Sequence, residues 1–167
     1  KSFSLYLQKE PKESYMVIPG MDTDNFEVIK EHKVHKKDYF QMKMDAIKRD
    51  DVVVQEDEMY IGIFNAYDSI IGHPKLMSPI LDDLVVYTDC SNIDQLPDIT
   101  FTLDGLDYTL TARDYVIKKS GSCVNGITMY TPYKSESFVP ENTIILGNIF
   151  LQKYFPMFDM NKDTVTF

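Results

Sequence analysis

The sequence predicts an all-β domain with a few short helices, and three observations carry that expectation. Strand-like runs recur at short spacing along the chain, from Phe3-Ser4-Leu5-Tyr6-Leu7 to the segment 158–167. Two alternating runs, Ile99–Leu103 and Leu106–Leu110, flank Asp104-Gly105, the strongest short-range signal of a β-hairpin. Helical spacing is confined to a few brief stretches. Many short strands with few helices make a β-sheet core.

Taken in order, Phe3–Leu7 alternates as a first strand. Tyr15-Met16-Val17-Ile18 is a second, halted by Pro19-Gly20. Residues 30–37, Lys-Glu-His-Lys-Val-His-Lys-Lys, are a basic run in an acidic chain and read as a solvated strand or loop. Tyr39-Phe40-Gln41-Met42-Lys43-Met44 alternates with period two, and Val52-Val53-Val54 and Met59–Phe64 follow. From His73 to Leu84 a helix is expected, with Pro74 in its first turn and an interruption at Pro79. Ala112–Val116 predicts a single helical turn, and Ile149–Tyr154 another short helix that stops before Pro156. The segment 158–167 reads as strand, polar turn, strand. No internal repeat or low-complexity linker divides the chain.

The 167 residues suit one domain, and 44% hydrophobic content suffices for one core. A net charge of −9 argues against nucleic-acid or anionic-membrane partners. No run of apolar residues is long enough for a membrane span. The chain opens on Lys1-Ser2-Phe3 rather than on a signal peptide, as expected of a mature or excised fragment. The two cysteines, Cys90 and Cys123, suit either one disulfide in an oxidising compartment or two reduced core thiols. A bridge closing a loop of that size would contribute roughly 3–4 kcal/mol.

Several segments, in order, resemble the C-terminal lobe of pepsin-like aspartic proteases. Phe3–Leu7 is similar to the lobe's opening strand. Tyr39-Phe40-Gln41 with Met44-Asp45-Ala46-Ile47 is similar to a Tyr-Trp-Gln and Leu-Asp-Xaa-Ile segment, with Phe in place of Trp. The stretch from Cys90 to Phe101, the run Tyr108–Thr111 with Asp114-Tyr115-Val116, and Ser122-Cys123 continue the likeness. Ile144-Ile145-Leu146-Gly147-Asn148 resembles an Ile-Leu-Gly-Asp segment, with Asn148 where the family has an acid. The likeness covers nearly all of 1–167 and implies a single lobe of the pepsin-like fold, without the N-terminal lobe. It also implies a Cys90–Cys123 disulfide and a secretory, secreted or vacuole-like location.

The functional question centres on Phe64-Asn65-Ala66-Tyr67-Asp68-Ser69-Ile70-Ile71-Gly72-His73-Pro74. The family pattern is two apolar residues, Asp-Thr/Ser-Gly-Thr/Ser, more apolar residues and a Gly-Pro turn. The resemblance places Asp68 at the family aspartate, with Ser69 as its hydroxyl neighbour. The following glycine and second hydroxyl are replaced by Ile70 and Ile71, or else the loop is shortened; either way the glycine is lost. Family chemistry uses an activated water and two carboxylates about 3 Å apart that share one proton, so Asp68 is half of a dyad. A stiff β-branched residue beside it would crowd the site.

The implied function is a homologue with a degraded catalytic loop, a pseudoprotease acting as a protein- or peptide-binding module. Its partners would be an N-terminal lobe or another protein at the interlobe face, or an extended peptide. The alternative is an aspartic endopeptidase active only when a partner lobe, or a second copy, supplies another Asp. No cofactor is expected. His32 and His35 lack the further ligands of a metal site, and sequence neighbours such as Asp68, Ser69 and His73 rarely form a nucleophile set. The methionines Met42, Met44, Met157 and Met160 read as core filling.

Overall fold

A computed structural model of the chain describes residues 1–9, 12–130 and 140–167. Sixteen strands appear among them. They are β1 (Ser2–Tyr6), β2 (Tyr15–Val17), β3 (Glu31–Lys33), β4 (Met42–Met44), β5 (Ala46–Arg49), β6 (Val52–Gln55), β7 (Met59–Ile63) and β8 (Ile70–Gly72). Next come β9 (Ile99–Leu103), β10 (Leu106–Leu110), β11 (Val116–Lys119), β12 (Ser122–Asn125), β13 (Ile127–Met129), β14 (Thr143–Leu146), β15 (Met157–Asp159) and β16 (Thr164–Thr166). The helices are short: α1 (Pro74–Leu81), α2 (Ala112–Tyr115) and α3 (Asn148–Leu151). The mostly-β architecture expected from the sequence is therefore present.

The strands form four sheets, ordered β2-β1-β15-β16-β3, β10-β9-β5-β6, β11-β12 and β13-β8-β14-β7-β4. The hairpin β9–β10 pairs Leu103 with Leu106 across the two-residue turn. Asp104 and Gly105 both take positive φ, 47° and 76°, the geometry that makes Asp-Gly favourable in such a turn. All five residues of β9 are buried, because the strand lies inside its sheet and is covered on both faces. Ile47, Phe101, Tyr108 and Phe150 join Ile61, Met77 and Ile144 in one continuous core.

Two expectations change. The strand reading over Tyr39–Met44 holds only from Met42. Residues 37–39 form a 3-10 turn closed by the Phe40 N–H on the Lys37 carbonyl, and Phe40 adopts a left-handed φ of 48°. Pro79 does not interrupt α1, which continues to Leu81. Proline removes only one backbone donor there, and buried Leu76, Met77 and Ile80 hold the helix on the core.

Cys90 and Cys123 form the disulfide that the resemblance implied. Cys123 is a buried residue of β12 and Cys90 lies in the loop after α1, so the bond ties the β11–β12 hairpin to that loop. The Cys123 N–H also donates to the Thr88 carbonyl, 2.9 Å away. Replacing both cysteines by serine should lower unfolding free energy by about 3–4 kcal/mol. A denaturant titration with and without reductant checks this: the native chain should lose stability on reduction and the double variant should not respond.

Candidate functional site

The loop 64–69 joins β7 to β8, yet those strands do not pair with each other. Between them lies β14, parallel to β7 and antiparallel to β8. The loop therefore bridges over the chain as it leaves β14 at Gly147. A Cβ at 147 would run into the backbone carbonyl oxygens of Tyr67 and Ser69, so only glycine permits the crossing. Immediately beyond, the Asn148 N–H donates to the Tyr67 carbonyl (2.7 Å) and the Ile149 N–H to the Asp68 carbonyl (3.0 Å). These are the first amides of α3, which would otherwise lack partners.

Asp68 thus has a rigid backbone and an open side chain. Its side chain is 62% exposed. One oxygen accepts from the Asn148 side-chain amide at 3.2 Å, and the other lies 3.6 Å from the Lys119 ammonium. Asn148 is the residue for which the family resemblance leads one to expect an acid. An aspartate there would set a second carboxylate against Asp68, so the amide is the neutral solution to a like-charge contact. Ser69 follows in the loop, and then the chain enters β8 directly. Ile70 is fully buried and spends its N–H on the Gly126 carbonyl at 2.8 Å, leaving no small residue with a free amide at that point.

The sequence reading passed over Asn65. It is exposed and stands directly after Ile63-Phe64, the apolar pair at the end of β7. With Phe3, Leu5, Phe40, Phe64 and Phe158 it lines a depression of about 250 Å³. The detectable signal was the strand end itself: an apolar pair followed by a polar turn residue.

The other candidates separate in space. His73 caps α1, its Nδ1 accepting the Lys75 N–H at 3.3 Å, and its Nε2 lies 4.0 Å from Glu141. No described bond ties it to Ser69 or Asp68. His32 is buried, with Nδ1 2.7 Å from Asp104 and Nε2 2.6 Å from the Tyr108 hydroxyl. Burial, with Tyr154 and Asp104 nearby, pushes the Tyr108 hydroxyl up to about 12. His35 instead stacks on the Tyr60 ring. Among the described residues no three His, Cys, Asp or Glu side chains gather closely enough to hold a metal ion.

Beside the loop, Asp114 completes a capping box with Thr111 at the start of α2 and pairs with Lys153 at 2.6 Å. Burial opposes its ionisation, but the Lys153 ammonium and the Thr111 N–H and hydroxyl outweigh it and hold the carboxyl below its ordinary value. Such a group stabilises the fold above the unfolded-state pKa, near 3.9, and loses that contribution as pH falls through the lower native value. Asp114→Ala should cost about 1–2 kcal/mol at neutral pH, with the difference shrinking below about pH 4. Thermal melts across pH read this directly. Asn148→Asp should behave in the opposite sense. Repulsion from Asp68 raises a native carboxyl, so the variant should be about 1 kcal/mol less stable at pH 7 and recover as acid protonates the pair.

Comparison with known proteins agrees with this architecture. The family model described as eukaryotic aspartyl protease matches residues 1–167. Vacuolar protease A of Neurospora crassa is 30% identical, covering 98% of this chain and 42% of its own length. Pepsin A of Gallus gallus is 30% identical over 98% of this chain and 45% of its own, and pepsin F of Oryctolagus cuniculus is 29% identical over 98% and 44%. The chain thus spans less than half the length of these curated relatives. The whole-chain match, the mostly-β lobe, the disulfide and the strand-bridging loop agree: the chain belongs to the eukaryotic aspartyl protease family.

Proposed function

We propose that this lobe is a pseudoprotease, a family member whose catalytic loop is degraded and whose role is to bind protein or peptide. The observation that carries the reading is the loop itself. Asp68 is its one acid, and it contacts the Asn148 amide and the Lys119 ammonium. With Asp68 as the family aspartate, fully buried Ile70 stands at the glycine place; with Asn65 there, Tyr67 does, and the glycine is lost either way. Asp68 with Ser69 keeps the hydroxyl neighbour of the family aspartate, while Asn65 keeps the place after the apolar pair. The strand boundary favours Asn65 for that place. An amide there cannot ionise, so this reading strengthens the case for inactivity.

The binding face is supported by exposed apolar residues near the loop. Met16 and Ile18 are 54% and 71% exposed, and Phe64 is 38% exposed. Isolated exposed apolar residues are ordinary, but Met16 and Phe64 line the same depression as Phe3 and Phe40. An N-terminal lobe or another protein laid on that face would cover them. The disulfide, together with relatives that include vacuolar proteases, supports a route through the secretory pathway to secretion or a vacuole. No helix among the described residues is long and apolar enough to cross a membrane.

The rival is an endopeptidase that pairs Asp68 with an acid from a partner lobe. A pepstatin-type transition-state mimic, added at acid pH to the protein alone and to the protein with a supplied N-terminal lobe, separates the two. The pseudoprotease reading expects no tight binding and no cleavage of an unfolded substrate in either case. Tight binding with cleavage abolished by Asp68→Ala would establish the endopeptidase.

A further inference from the structure

The surface around α2 and α3 has a charge opposite to that of the chain. Two adjoining grooves, of about 620 and 640 Å³, share Lys9, Asp114, Ile149 and Gln152. Among the described residues that line them, Lys9, Lys12, Arg113, Lys118, Lys119 and Lys153 meet the acids Asp68 and Asp114. Counting Asp94, which pairs with Arg113 at the rim, six of the 17 Lys and Arg meet three of the 26 acids among the described residues, a local excess of basic side chains in a molecule of net charge −9. The floor is apolar, with Val116 and Ile149 buried and Ile93 and Ile117 partly so.

A second feature gives this groove a direction. Val116, Ile117, Lys118 and Lys119 all line it, and they are the four consecutive residues of β11. Successive side chains of a strand point to opposite faces, so four in a row, with Cys123 of β12, line one groove that follows the strand's backbone. One edge of that strand is open. β11 pairs with β12 on one side, and among the described residues no other strand pairs with it. No described ion pair engages Lys118 or Lys12, and Lys119 is held only by its 3.6 Å contact with Asp68.

We propose that the free edge of β11 and the basic groove beside it bind an extended acidic peptide by strand addition. Backbone groups of β11 supply the ladder, apart from the Val116 N–H, which is bonded to the Ala112 carbonyl. Alternate carboxylates share one face of the peptide and meet whichever of Lys118 and Lys119 lies on that face, with Arg113 nearby. Arg113 is now paired with exposed Asp94 at 2.6 Å, a surface contact that an incoming carboxylate can replace at little cost. The proposal rests on the binding role above and names its ligand class.

The test is fluorescence anisotropy of a short labelled peptide of alternating Glu and Val, titrated with the intact protein at neutral pH. Saturable binding that weakens with added salt is expected. Lys118→Glu with Lys119→Glu should weaken it at least about tenfold, while Lys43→Glu, at the exposed position of β4, should not. Methylating alternate amide nitrogens of the peptide should also abolish binding, because it removes the ladder donors. Far-ultraviolet circular dichroism of the double variant checks that it folds, and the methylated peptide tests the idea independently of any variant. Equal affinity for the Lys-Val counterpart, for the methylated peptide or for inorganic polyphosphate would overturn the proposal, as would no binding at all. An acidic peptide that binds and is also cleaved would sink the inactive reading and leave this one standing.

Discussion

The passage of β14 between β7 and β8 governs everything near the loop. It forces the connection between those two strands to arch over the departing chain, and it leaves room for no side chain at the crossing, where Gly147 lies under the carbonyls of Tyr67 and Ser69. The carbonyls of Tyr67 and Asp68 accept the first amides of α3, those of Asn148 and Ile149. The backbone of the loop is therefore a structural joint, satisfied whether or not its side chains can do chemistry. The arch therefore does not depend on which side chains the loop carries. Hydrogen bonds that hold the arch come from main-chain groups, and the sequence is free to vary in what it displays.

Much of this was legible in residue order where local chemistry decides structure. Asp104-Gly105 dictated its hairpin because both turn residues need positive φ. The spacing of Cys90 and Cys123 left a disulfide and two free thiols equally open, and only the family resemblance paired them. Less legible were β8 and β14. Ile70-Ile71-Gly72 is too short to show a period, and after Thr143 the strand Ile144-Ile145-Leu146 is apolar and buried on both faces, so alternation has nothing to report. The hairpin of β11 and β12 carried a missed signal: Ser120 and Gly121, at φ 50° and 83°, are another turn of the Asp-Gly kind. Asn65 was overlooked because the hydroxyl of Ser69 drew attention to Asp68, and because an amide announces no reactivity.

Electrostatics divides the surface in a way that composition conceals. A net charge of −9 describes the average, yet the lysines near α2 and α3 are concentrated where acids are few. Lys153 and Lys119 each face a carboxylate of the groove, Asp114 and Asp68, one firmly and one loosely. The tight pair contributes to holding α2 in place. The loose one leaves a cation available to solvent.

The central strand of the β13-β8-β14-β7-β4 sheet is also among the last to be synthesised. β7 and β8 are complete some seventy residues before β14 exists, and they have no direct hydrogen bonds to exchange while they wait. Nascent chains must hold two unsatisfied strand edges apart until Thr143–Leu146 arrives to close them. Non-local pairing of this kind slows folding and exposes edges to wrong partners. The ribosome and the chaperones beyond it thus face a waiting interval written into the topology of this lobe.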